Sequence, residues 1–276
     1  VSTDAKAAFT PTGWPRESYR YYQSRETFQS SFDKRERRHT ADVSHDMRHL
    51  TVGGGYVPFT EPLDEIVKLA HNVKVPAYPT ISASGMSWPG GRTVEAWRGA
   101  AANMWHASVD GIVSFNVFPS GPEPRWMDIG SPETLARRNK LFVIDPVRES
   151  YGILVQAIAQ SQALPLAIPA DGTPLMAILP IGDDLPTAGK NKALASADLR
   201  IQISDPKAIG AVKVRLNGVP LTPAQEDSQT GWVVFRPKAE QYRLGDNKLA
   251  FLATHRSPKA KSLAGVTHVE VLVTYK

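Results

Sequence analysis

Apolar residues recur along this chain in two rhythms, and the change from one to the other comes near Pro146. Upstream, Leu63, Ile66, Val67 and Ala70 are spaced by three and four. That is the core-facing stripe of an amphipathic helix, and it predicts a helix over 62–74. Thr60 suits its N-cap and Pro62 its first turn. Ala96, Trp97, Ala100, Met104 and Trp105 repeat the pattern and predict a second helix over 93–107. Ser131-Pro132-Glu133-Thr134 is a third helix start, because a Ser cap, an early Pro and an acidic first turn all satisfy the positive end of a helix. Between these lie short apolar or β-branched runs at 49–52, 75–82, 111–118 and 141–144, read as strands, with Pro76 and Pro79 the weakest points of the second. Four strands separated by helices predict parallel strands joined by crossovers, in units of about 25 to 35 residues.

Downstream the runs are shorter, richer in β-formers and broken by turns. Leu199 to Ile203 and Val212 to Leu216 alternate apolar with polar, and Asn217-Gly218 is a hairpin turn signal. Segments 231–235, 248–253 and 268–275 read as further strands, 164–168 and 175–179 as extra ones, and Gly245-Asp246-Asn247 as another turn. This texture predicts an antiparallel β-sandwich or jelly roll. The fold class expected is therefore α/β plus all-β: the rear half of a partial (β/α) barrel over 46–149, followed by a β-sandwich domain over 150–276. Residues 1–45 are poorly readable, with only a loose helical pattern over 16–39.

Length then changes the picture. A complete barrel takes about 250 residues, but only about 145 precede the β-rich part of this 276-residue chain. Half a barrel leaves two sheet edges with unpaired backbone groups. The expectation is a missing segment or another chain that completes the barrel, or else an open sheet.

Composition excludes some chemistry. There is no cysteine, so disulfides and thiolate metal sites are ruled out. No segment approaches the ~20 apolar residues of a membrane span. The formal charge of +5 is a mild excess that suits anionic glycans without deciding for them. The basic run Lys34, Arg35, Arg37, Arg38 lacks the aromatic and modular context of nucleic-acid readers, so no nucleic-acid or membrane partner is expected. His45 and His49 stand four apart with no acid between them, and no metal or other cofactor is expected.

The runs Leu50-Thr51-Val52-Gly53-Gly54-Gly55-Tyr56, Val75 to Ser82, Arg98 to Trp105 with its Ala-Asn-Met-Trp element, Val109 to Asn116 and Asp128 to Arg137 resemble the last barrel units of glycosyl-hydrolase-like proteins. These are related to the family-10-like bacterial hydrolases and carry a C-terminal β domain. The resemblance covers about 46–145 well and the β domain loosely. It implies a carbohydrate-active protein, a glycoside hydrolase subunit or fragment acting on a poly- or oligosaccharide, in a secreted or periplasmic setting. The alternative is a non-catalytic carbohydrate-binding or assembly protein on a degenerate barrel.

In such barrels ligands meet the loops at the carboxyl ends of the strands. Those loops nominate Gly54 and Tyr56 after the first strand, Ser82, Ser84 and Trp88 after the second, and Asn116 and Trp126 after the third. Glycine lets backbone approach a ligand, hydroxyls and amides bond sugar hydroxyls, and aromatic rings cover apolar sugar faces. Each also has an ordinary reading as turn, cap or packing residue. Glycoside hydrolysis generally needs two carboxyl groups across the scissile bond. The loop acids Glu61, Glu123, Asp128 and Asp145 form no convincing pair, so no catalytic residue is nominated, and Asp145 before Pro146 reads best as a turn cap.

Overall fold

A computed structural model describes residues 48–52, 59–60, 63–82, 93–115, 124–145, 164–254 and 262–276. Its first part is a β–α–β–α–β run: β1 (Leu50–Val52), α1 (Leu63–Asn72), β2 (Ala77–Ile81), α2 (Val94–His106) and β3 (Val113–Ser114). The three strands are parallel, in the order β1-β2-β3. With strands in sequential order and crossovers of the usual right hand, both helices lie on one face of the sheet. That face buries Leu50, Val52, Ala77 and Ile81 in the same core as Leu63, Ile66, Val67 and Ala70 of α1 and Ala96, Ala100 and Met104 of α2. Thr93 caps α2, its side chain accepting from the Ala96 amide at 3.2 Å.

Two short helices follow, α3 (Pro124–Met127) and α4 (Pro132–Leu135). The Ser131 cap of α4 is as the sequence indicates, accepting from the Thr134 amide at 3.3 Å. Then comes β4 (Lys140–Val143), and here the structure corrects the sequence. Expected as the last strand of the parallel series, β4 instead pairs antiparallel with the final strand of the chain, Glu270 opposite Val143 and Val273 opposite Lys140. Its own residues explain this. All four are buried, so the strand needs cover on both faces. Lys140 and Phe142 share a face with Val273 and Val271, while Leu141 faces α2. Gly99 of α2 lies so close to the Leu141 carbonyl that a β-carbon would collide with it.

The remainder is antiparallel. One sheet runs β10 (Pro223–Asp227), β11 (Trp232–Phe235), β7 (Leu194–Ile203), β13 (Ser262–Tyr275), β4, with β5 (Leu166–Pro169) also on β13. The other runs β6 (Leu175–Ile181), β12 (Gly245–Ala253), β8 (Val212–Leu216), β9 (Val219–Pro220). A short helix, α5 (Leu185–Lys190), follows β6. Leu199, Ile201, Val269, Val271 and Val273 of the first sheet and Leu179, Val214, Leu216, Leu249 and Phe251 of the second belong to one hydrophobic core. Asn217 and Gly218 turn β8 into β9 with φ of 51° and 87°, the two positive values a type I′ turn requires. Gly245-Asp246-Asn247, expected as a turn, opens β12 instead. Asn247 is fully buried there, and its amide donates to the carbonyls of Arg243 and Gly245.

Asn103, the asparagine of the Ala-Asn-Met-Trp element, staples the two parts together. Its Nδ2 donates to the carbonyls of Phe59 and Pro180, and its Oδ1 accepts from the Gly182 amide at 2.7 Å.

Candidate functional site

Parallel strands are normally covered on both faces. In register, Thr51 lies beside Tyr78, and Thr80 beside Val113, all pointing away from the helices. Thr80 is buried, but Thr51 and Tyr78 are only half-buried, and Val113 and the following Phe115 are 39% and 38% exposed. His49 packs edge-on against Tyr78, ring centroids 6.1 Å apart. Among the described residues, the face turned from α1 and α2 thus carries exposed Val113 and Phe115, with half-buried His49, Thr51 and Tyr78 beside them. The Phe115 amide donates to the Ile81 carbonyl at 3.0 Å, which holds its backbone beside the end of β2.

The amino end of β2 is clipped by Asp110. Its Oδ2 accepts from His71 Nε2 at 2.8 Å and from the Ala77 amide at 2.7 Å. Partial burial pushes the carboxyl up, but the two hydrogen bonds outweigh it and hold the group below its ordinary 3.8. This pins the strand that carries Tyr78.

Of the sequence-nominated residues, Gly54, Tyr56, Ser84, Trp88 and Asn116 lie outside the described residues. Ser82 ends β2 fully buried and engaged within the protein, so its hydroxyl does not face solvent. Trp126, on α3, is half-buried and packs against the core. The structure thus brings neither onto the open face. Trp97 is buried as expected, with Arg125 stacked 5.5 Å over its ring, and Trp105 donates to the Ile129 carbonyl at 2.9 Å. Among the loop acids, Asp128 is held by Arg98 at 2.6 Å. Asp145 is fully buried, and its Oδ2 accepts from the amides of Phe59 and Thr60 and from the Thr60 hydroxyl, each at 2.9 Å. It ties the chain beyond β1 to the end of β4. Glu61 and Glu123 lie outside the described residues.

No family model matches the chain, and no curated protein matches it. Among solved structures it is similar to a β-porphyranase of glycoside hydrolase family 86 from the human gut bacterium Bacteroides plebeius. Identity is 13% and the TM-score 0.33, over 50% of this chain. The chain spans 21% of that enzyme's length. The likeness is a distant one of fold and assigns no activity.

The open face was not among the sequence nominations, although one signal pointed to it. Thr51 and Tyr78 occupy the off-beat positions of their strands, where a parallel strand buried on both sides carries another aliphatic residue. Among the described residues, no cluster of histidine and acidic side chains is arranged to hold a metal ion, and no helix is long and apolar enough to cross a membrane.

Proposed function

We propose that this is a carbohydrate-active protein, a barrel-rear unit of glycoside-hydrolase type with a β-sandwich behind it, that holds a poly- or oligosaccharide along the helix-free face of its parallel sheet. One observation carries the reading: among the described residues, that face, which a parallel sheet normally buries, leaves Val113 and Phe115 exposed beside the half-buried Tyr78 and Thr51. Rings of this kind cover the apolar faces of sugars, and the Thr51 hydroxyl suits their hydroxyl rims. Gly54, Tyr56, Ser84, Trp88 and Asn116, nominated from the sequence, are proposed to take part in the same binding. Asp128 and Asp145 are committed to holding the chain.

Binding to a panel of immobilised neutral and anionic polysaccharides tests this. The expected result is retention on at least one of them, weakened roughly tenfold or more by Phe115→Ser or by Trp88→Ala, with the unfolding midpoint unchanged. Loss of a ring that only packs against the protein would lower the midpoint instead. Failure of the wild-type chain to bind any member of the panel contradicts the reading.

A further inference from the structure

The chain between α3 and β4 encloses a shallow depression of about 400 Å³ lined by Met127, Asp128, Glu133, Thr134, Arg137 and Arg138. Its charges do not cancel. Asp128 is already neutralised by Arg98, whose Nε and Nη2 both reach its Oδ2, at 2.8 and 2.6 Å, with both side chains largely buried. Arg138 reaches the same carboxylate only at 3.9 Å and is 56% exposed. Arg137 is exposed and makes no ion pair among the described residues. One carboxylate is left to oppose two guanidinium groups: that of Glu133, exposed at the rim and held below its ordinary 4.5 by a hydrogen bond with Ser131.

The loop that carries the arginines is built from inside. Lys140 is fully buried, and its ammonium donates to the carbonyls of Leu135 at 2.7 Å and Arg138 at 3.2 Å. It also pairs with Asp183 at 2.8 Å and lies 5.1 Å from the Tyr275 ring. With these carbonyls drawn toward the ammonium, Arg137 takes the left-handed conformation, φ 57°, which a residue with a β-carbon adopts at a cost of about 1 kcal/mol. The segment thus keeps a strained backbone and two adjacent cations at the edge of a cavity large enough for one sugar ring.

We propose that this depression is an anion site that takes a sulfate- or carboxylate-bearing group through Arg137 and Arg138. It lies apart from the open face of the parallel sheet. The oxyanion chemistry does not depend on the carbohydrate reading; only the larger ligand, an anionic sugar residue with the oxyanion on the arginines, rests on it.

Calorimetric titration of the intact chain with inorganic sulfate tests the oxyanion part. Saturable binding is expected, weakened roughly tenfold or more in Arg137→Ala/Arg138→Ala, because charge-assisted bonds to an oxyanion are the strong ones. Glu133→Gln should tighten it, since that change removes the opposing charge. Circular dichroism and the unfolding midpoint should stay at wild-type values in all variants, because these side chains are exposed. A sulfated oligosaccharide and its desulfated form then distinguish the sources. Tighter binding of the sulfated form than of free sulfate, lost in the double variant, places a sugar in the cavity. Absence of saturable sulfate binding, or binding unchanged in the double variant, overturns the proposal. If the oligosaccharides bind while the arginine variants have no effect, the carbohydrate reading stands and this site falls.

Discussion

Asp110 shows how a single side chain sets the position of the face. It is a surface carboxylate at the start of β3's approach, yet it reaches across to the first amide of β2 and to His71 at the end of α1. Because its folded value lies below 3.8, its contribution to stability is present above that value and is lost as pH falls through the lowered one. His71→Ala removes one of the bonds that lower it. The expected result is an upward move of the Asp110 carboxyl toward 3.8, read by carbon NMR across an acid titration, with the other carboxylates unmoved. An unchanged Asp110 titration would assign the lowering to the Ala77 amide alone.

At the level of elements, β4 departs most from the sequence pattern, and Asp145 just beyond it ties its end to the chain after β1. Its one carboxylate oxygen satisfies two amides and a hydroxyl that are otherwise buried without acceptors. Asp145→Ala strands all three, so a loss of about 3 kcal/mol or more is expected in urea unfolding. A loss within measurement error would mean that water takes over the three donors. The helices α1 and α2 were legible because their apolar stripes are uninterrupted, and α4 because its Ser131 cap is local chemistry. So were β7, β8 and β11, whose alternation reflects one buried and one outer face. The partner of β4 was not legible. Leu141-Phe142-Val143-Ile144 is apolar throughout, and such a run is equally consistent with a central parallel strand and with a strand wedged between a helix and an antiparallel sheet. What decides between them is the Gly99 contact with Leu141 and the pairing with Glu270 to Val273, more than a hundred residues downstream.

For the whole molecule, a three-stranded parallel sheet is joined to two antiparallel sheets. The interface between them is built by backbone proximity at Gly99 and Gly182 and by the Asn103 staple. This bracing supports three parallel strands that have, among the described residues, helices on one face only. Of the site nominated from sequence, Ser82 proved buried and Trp126 packed against the core. Half-buried Tyr78 and exposed Phe115 were concealed because proline-interrupted or very short strands blur the two-residue period that assigns a face. Hydroxyl-radical footprinting with and without a saturating oligosaccharide measures the use of that face most directly. Protection of the Tyr78 and Phe115 side chains, with Trp232 of the β domain unchanged, is the outcome predicted here. Protection confined to the β domain, or equal labelling of Tyr78 and Phe115 in both states, would contradict it.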